Sequence, residues 1–246
     1  MRRPALALFA IVVLATGIAA AQQPVTAYSS VPPGSQPPPY VGGPSNPGGQ
    51  TEALTFWNNR ASFAAAFPGL PTESFAGTSV AAGSIVGCDP PFNSTTNNAC
   101  FTPGAIMPGV EIDLGVRDPV STLQLVVLGV GSYGNTNVLV GPDTFGDDII
   151  FNFSPAVRAA GFDLVNPVAP GQTYNVEIFG PGGSIGVGTA TDGAEGNFWG
   201  VDATDVGGIT SIVFDGGVDS AHSELTTLVT FGGEPVPVEL QSIAIE

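Results

Sequence analysis

A serine in a glycine-rich segment is the first residue whose surroundings suggest a chemical reaction. Residues 182–186 read Gly-Gly-Ser-Ile-Gly, which fits the G-x-S-x-G pattern of a serine nucleophile. Asp202 or Asp205 and then His222 follow, in the chain order of α/β hydrolases. That pattern works where a strand leads into a helix, whereas Ser184 joins two β-like runs and no helical pattern follows. We therefore expect a connection between strands, and a secreted serine hydrolase using Ser184 is kept as an alternative function.

A second glycine pattern resembles a nucleotide-binding loop. Residues 129–134 read Gly-Val-Gly-Ser-Tyr-Gly, which fits the G-x-G-x-x-G fingerprint and follows a predicted strand. The next residues, Asn-Thr-Asn-Val-Leu-Val, lack the amphipathic helix whose N-terminus would bind a pyrophosphate. The segment therefore predicts a glycine-rich hairpin connection.

Two acidic turns supply oxygen ligands of the kind that Ca²⁺ prefers. The first contains Asp143, Asp147 and Asp148, and the second contains Asp215, Asp219 and Glu224. Neither turn has the spacing of an EF-hand loop, so solvated acids are the simpler interpretation and Ca²⁺ is only a weak candidate cofactor. His222 is the sole histidine, which excludes a multi-histidine metal centre.

Three aromatic residues are weak candidates for contact with a sugar ring. Trp57, Tyr133 and Trp199 could each offer an apolar ring face to a ligand. Aromatic residues in strands more often belong to the core, which is the competing interpretation for each of them.

The elements that would position these residues begin after an export signal and a linker. Residues 1–21 combine a basic start, an apolar stretch and a small-residue cleavage site, which is typical of a secretory signal peptide. Residues 22–50 are rich in Pro, Gly, Ser and Gln and predict a disordered spacer. Residues 51–246 are then expected to form one β-sandwich domain, secreted and without a membrane span after signal cleavage.

The charge of the chain excludes one class of partner. The formal net charge is −16, with five arginines and no lysine, and two of the arginines would leave with the signal. A surface of this sign repels phosphate backbones, so nucleic acid is excluded as a partner.

Cys88 and Cys100 are the only cysteines. Because an even number of closely spaced cysteines in an exported chain usually forms a disulfide, we expect the two to be linked. Such a link would hold the turn-rich segment between them in place.

The remaining pattern is that of an all-β protein, an antiparallel β-sandwich of jelly-roll-like type with one short N-terminal helix over residues 60–67. Residues 148–165 are the reference segment, predicted as strand, sharp connection at Ser154-Pro155, and strand. Residues 123–128 predict a central strand. Seven phenylalanines are expected in the core: Phe151, Phe153, Phe162, Phe179, Phe198, Phe214 and Phe231.

The order of these segments resembles exported bacterial proteins of the PEP-CTERM type. The resemblance is carried by Ile-Ile-Phe-Asn-Phe at 149–153, Ala-Ala-Gly-Phe-Asp at 159–163, Asn-Phe-Trp-Gly-Val at 197–201 and the segments around them. It implies an extracellular β-sandwich without a defined catalytic site that interacts with exopolysaccharide or the cell surface. Residues 234–246 carry neither the apolar anchor helix nor the basic tail of that family, so we expect an anchorless, freely secreted relative.

The expected function is therefore a secreted, non-enzymatic interaction module of the extracellular matrix or cell surface, with glycans as candidate ligands. A purely structural coat or spacer component is a further alternative.

Overall fold

Strands dominate the part of the chain that the computed structural model describes, which comprises residues 54–118, 121–144, 146–215 and 224–234. The predicted signal peptide, the linker, Asp219 and His222 lie outside these residues. A short 3₁₀ turn covers Thr204–Val206. The remaining elements are, in chain order, β1 (Thr55–Trp57), α1 (Arg60–Ala66), β2 (Thr72–Glu73), β3 (Ile85–Cys88), β4 (Val110–Gly115), β5 (Leu125–Leu128), β6 (Leu139–Pro142), β7 (Asp148–Val157), β8 (Ala159–Val165), β9 (Thr173–Gly180), β10 (Gly183–Thr191), β11 (Asn197–Asp202), β12 (Ile209–Asp215) and β13 (Leu225–Gly232).

The strands form two antiparallel sheets packed face to face. The eight-stranded sheet has the order β1-β11-β8-β13-β6-β5-β3, with β2 paired to β13. The five-stranded sheet has the order β10-β9-β12-β7-β4. Buried side chains from both sheets form one main core cluster, so the predicted all-β sandwich is confirmed. From β6 onward the chain changes sheet at every step except the β9–β10 hairpin, which agrees with the jelly-roll-like expectation.

Six of the seven phenylalanines predicted in the core are buried, and Phe179 is the exception. In β9 the side chains of Tyr174, Val176 and Ile178 face the core, as the alternating sequence pattern predicted. Phe179 therefore points to the opposite face, where it is only half-buried. Its assignment to the core was wrong, because side chains alternate between the two faces of a strand and Phe179 directly follows the inward-facing Ile178.

The connection predicted at Ser154-Pro155 is also wrong. Strand β7 continues through both residues to Val157, and the chain turns only at Arg158 before β8 enters the other sheet. Pro155 is tolerated because it lies in an irregularity where the pairing with β12 jumps from Asn152 to Val157. At such a bulge the missing N–H of proline removes no ladder hydrogen bond.

Helix α1 packs on the outer face of the eight-stranded sheet. Asn59 caps it, with Oδ1 accepting a hydrogen bond from the Ser62 backbone N–H at 2.9 Å. Phe63 and Phe67 lie one turn apart, with ring centroids 4.8 Å from each other, and form with Phe198 a small apolar cluster separate from the main core. The predicted helix is thereby confirmed. No helix in these described ranges is long and apolar enough to cross a membrane.

The predicted disulfide between Cys88 and Cys100 is present, with the two Cα atoms 6.2 Å apart. It ties the end of β3 to the turn-rich segment that follows, and both cysteines are buried. The sequence interpretation missed β3 itself and β4. Strand β5 is fully buried, as predicted, but it lies next to the edge strand β3 and not at the centre of the sheet.

Candidate ligand-binding pocket

A pocket of about 180 Å³ opens on the outer face of the eight-stranded sheet. It lies between the β5–β6 connection, the segment after β8 and the β10–β11 connection. This volume is below the roughly 300–1,000 Å³ of sites for drug-sized ligands, and it suits a small group such as one sugar ring. Its lining among the described residues is Tyr133, Gly134, Asn135, Thr136, Asn137, Leu139, Val165, Pro167, Ala194, Glu195 and Thr227.

The glycine-rich loop that resembled a nucleotide fingerprint forms one wall of this pocket. Strands β5 and β6 pair antiparallel, so the predicted hairpin connection is confirmed. Gly131 and Gly134 have φ of +84° and +80°, which favours glycine. A Cβ on Gly129 would lie 2.1 Å from the backbone oxygen of Ala81, so close packing of two backbone segments requires a glycine there.

Asn135 holds the loop in shape from inside. Its Nδ2 donates to the backbone oxygens of Gly129 at 3.1 Å and Asn137 at 2.6 Å. Its Oδ1 accepts from the backbone N–H of Tyr133 at 3.1 Å. Asn135 is buried, and it fixes the backbone from which Tyr133 projects. The Tyr133 side chain is 45% exposed at the pocket wall, so its ring face is available to a ligand.

The floor and the opposite wall add both apolar and polar groups. Leu139 and Val165 belong to the apolar cluster on the outer face of the sheet. The Thr227 Oγ1 atom is buried from solvent and makes no hydrogen bond within the described residues. Thr136 and Asn137 are exposed at the rim. Glu195, which is exposed on the β10–β11 connection, is the only charged residue in the described lining.

All three arginines in the described residues are paired with aspartates. Arg60 lies 2.9 Å from Asp163, measured between Nη2 and Oδ2. Arg117 contacts Asp148 at 2.7 Å and also pairs with Asp215 at 3.1 Å. Burial lowers the pKa of Arg117, whereas the two aspartates raise it. The net result is a pKa above the usual range of arginine.

Arg158 pairs with Asp202 at 3.6 Å. Because the sequence contains no lysine, no cation remains among the described residues to recognise an anionic ligand.

The other two aromatic candidates do not contribute to this pocket. Trp199 is buried in the main core, where its ring lies 5.5 Å from that of Phe214, so its assignment as a ligand contact was wrong. Trp57 packs edge-on against Phe63 and Phe67 beneath helix α1. Both indole rings pack against other aromatic rings of the protein, so their position in strands did not indicate contact with a ligand.

The first acidic turn does not form a set of metal ligands. Asp143 is exposed, whereas Asp147 is fully buried and accepts hydrogen bonds from the backbone N–H groups of Arg117 at 2.7 Å and Asp118 at 2.9 Å. Asp148 is occupied by Arg117. Within the described ranges, no three acidic, histidine or cysteine side chains come together as they would around a metal ion.

The second acidic turn contains a buried carboxyl group. Glu224 is 1% exposed, and neither of its side-chain oxygens has a hydrogen-bond partner in the described structure. Burial raises the pKa of Glu224 to about 8; an interaction with its own backbone partly offsets this increase, and the charges of Asp148, Asp215 and Asp192 add to it.

Asp192, also buried, accepts from the Tyr174 hydroxyl and from two backbone N–H groups. Burial, followed by the hydrogen bond to Asp192, raises the pKa of Tyr174 above its usual range.

Ser184, the hydrolase candidate, lies at the start of β10 opposite Phe179 of β9. The chain after it continues as strand, so Ser184 does not lie at a strand-to-helix turn. Asp202 lies in the other sheet and accepts from the backbone N–H of Thr204 at 2.9 Å as well as pairing with Arg158. Among the described residues, Asp202 is engaged by Thr204 and Arg158, and no hydrogen bond joins it to Ser184.

A second, more apolar pocket of about 460 Å³ lies between the end of β7 in one sheet and the end of β13 in the other, lined mainly by prolines, glycines, Val157 and Phe231. It lacks the combination of exposed ring and polar side chains that the Tyr133 pocket has.

No protein-family model matches the chain, and the search of curated proteins found no similar protein. Its function must therefore be inferred from the residues and their geometry. Sequence reasoning identified Tyr133 but missed Glu195 and Thr227, which reach the pocket from distant segments of the chain. The available signal was the run Asn-Thr-Asn directly after the glycine-rich loop, which places polar side chains next to the exposed ring.

Proposed function

We propose that this protein is a secreted, non-enzymatic β-sandwich that binds glycans of the extracellular matrix or cell surface through the Tyr133 pocket. The observation that carries the proposal is the exposed Tyr133 ring, held by Asn135 next to the exposed side chains of Thr136 and Asn137. An apolar ring face combined with hydrogen-bonding groups matches the amphipathic surface of a sugar. The export signal and the resemblance to PEP-CTERM-type proteins support an extracellular location.

The test is a glycan array probed with the purified protein, with and without Ca²⁺. The proposal expects binding to at least one class of neutral or basic oligosaccharide and no requirement for Ca²⁺. Tyr133→Ala removes the ring face and should weaken binding about five- to 150-fold, because stacking and burial of such a ring contribute on the order of 1–3 kcal/mol.

Phe56→Ala is the matched control, because Phe56 is exposed to the same 45% but lies on β1, away from the pocket. It should leave binding unchanged. Absence of binding across a broad array, or equal loss in both variants, would refute the proposal.

The hydrolase alternative is tested with a fluorophosphonate probe. We expect no labelling of the protein, and labelling that disappears in Ser184→Ala would replace the glycan-binding proposal with an enzymatic one.

One feature of β10 favours a second candidate function, that of a structural coat component. This nine-residue edge strand of the five-stranded sheet contains no charged residue, and its Val187 side chain is 67% exposed. Unprotected edges of this type favour pairing with another copy of the chain. Sedimentation velocity would then show concentration-dependent association that Val187→Lys abolishes, whereas a monomer at all concentrations would exclude this role.

A further inference from the structure

We propose that the preferred ligand of the Tyr133 pocket is a sugar with a free amine, such as a glucosamine unit, with Glu195 as the partner of the ammonium group. This inference rests on the proposed glycan binding and narrows its ligand class. It is carried by the charges around the pocket, which differ from those expected at a site for neutral or acidic sugars.

The charged residues around the Tyr133 pocket exclude acidic sugars as ligands. Uronic acids and sulfated or phosphorylated sugars need an arginine or lysine to offset desolvation of their charge. The three described arginines are already paired with aspartates, and none of them lines the pocket. The net charge of −16 further repels an anionic polymer before it reaches the surface.

The same charges favour a cationic sugar. Glu195 lines the pocket, is exposed, and makes no side-chain hydrogen bond or ion pair with the described residues. Its carboxylate can therefore accept hydrogen bonds from an ammonium group without first breaking another contact. The Tyr133 ring lines the same pocket, and its face carries the partial negative charge that attracts cations.

The remaining pocket groups fit the rest of a sugar ring. The exposed Thr136 hydroxyl and the exposed Asn137 amide in the pocket lining can hydrogen-bond sugar hydroxyls. Leu139 and Val165 provide an apolar floor for the ring carbons. These contacts would be shared by neutral and amino sugars, so Glu195 is the residue that discriminates between them.

The experiment measures binding of the full chain to four tetrasaccharides by isothermal titration: deacetylated chitotetraose, N-acetylated chitotetraose, cellotetraose and tetragalacturonate. We expect the deacetylated chitotetraose to bind about three- to tenfold more tightly than cellotetraose, with tetragalacturonate not bound. The preference should shrink at 0.5 M NaCl, because salt screens an exposed charge pair.

The decisive variant is Glu195→Gln, which keeps the shape of the side chain and removes its charge. It should remove the three- to tenfold preference for the amino sugar and leave cellotetraose binding unchanged. Glu177→Gln is the control, because it changes the net charge by the same amount on the other sheet. It should leave the preference intact.

The outcomes separate this inference from the broader proposal. Equal binding of cellotetraose and deacetylated chitotetraose, or a preference that persists in Glu195→Gln, would overturn the amine assignment and leave glycan binding standing. Tightest binding of tetragalacturonate would overturn the charge argument altogether. No binding of any of the four, combined with a silent glycan array, would refute both.

Discussion

Replacement of Glu224 by glutamine should stabilise the protein at alkaline pH. The carboxyl group is 1% exposed and has no hydrogen-bond partner among the described residues, and burial raises its pKa to about 8. Glutamine preserves the size of the side chain but cannot ionise. The substitution therefore isolates the free-energy cost of placing a charge at this position.

The pH range follows from the direction of the shift. Because the pKa of Glu224 is higher in the folded than in the unfolded state, its contribution to stability is fully present below about pH 4.5 and is lost as pH rises through about 8. Each pH unit between 4.5 and about 8 costs about 1.4 kcal/mol, so the loss is at most about 5 kcal/mol, and relaxation of the site reduces it. Glu224→Gln should be close to wild type in unfolding free energy at pH 5 and about 3–4 kcal/mol more stable at pH 9.

The assay is urea unfolding followed by tryptophan fluorescence at half-unit steps from pH 5 to pH 9. Trp199 in the core and Trp57 beneath α1 report on the transition. Glu195→Gln is the control, because it removes an exposed carboxylate and should parallel wild type across the range. Parallel curves for wild type and Glu224→Gln would show that Glu224 is not held uncharged in the folded protein, and the reasoning would be wrong.

Two further substitutions test how the loops are held. Glu73→Gln should lower the unfolding free energy by about 1.5–3 kcal/mol. The buried Glu73 carboxylate accepts two short backbone hydrogen bonds, and an amide can replace only one of its two acceptor oxygens. An unchanged urea midpoint would contradict this prediction. Gly129→Ala should lower the unfolding free energy by about 1–3 kcal/mol and weaken sugar binding, because the added Cβ would meet the Ala81 backbone oxygen at 2.1 Å. Gly182→Ala serves as its control, because a Cβ there enters open space. Equal effects of the two glycine substitutions on the urea midpoint would show that backbone packing at Gly129 is not the constraint.

Much of the fold could be predicted because local patterns and tertiary packing agree. The alternation in β9 places Tyr174, Val176 and Ile178 inward, and the structure confirms each. The same rule, applied strictly, would have placed Phe179 outward.

The path of the chain near Pro155 was harder to predict. A proline ends a strand only where its N–H would be needed in the ladder. Whether it is needed depends on the register with β12, which the local sequence does not contain.

The candidate pocket was only partly visible in the sequence. Tyr133 could be identified because a glycine-rich turn exposes its side chain. Glu195 and Thr227 could not be linked to it, because they are more than 60 residues away and reach it only through the pairing of β11 with β8 and of β13 with β6 and β8. Acidic residues close together in sequence did not indicate a metal site either. Asp147 binds the backbone N–H of Arg117 and Asp148 binds its side chain.

Titration of deacetylated chitotetraose into wild type, Tyr133→Ala and Phe56→Ala would show whether the Tyr133 pocket binds sugar. We expect measurable binding to wild type and to Phe56→Ala, and at least about fivefold weaker binding to Tyr133→Ala. Binding that is unchanged in Tyr133→Ala would place the sugar elsewhere on the protein and refute the assignment of this pocket.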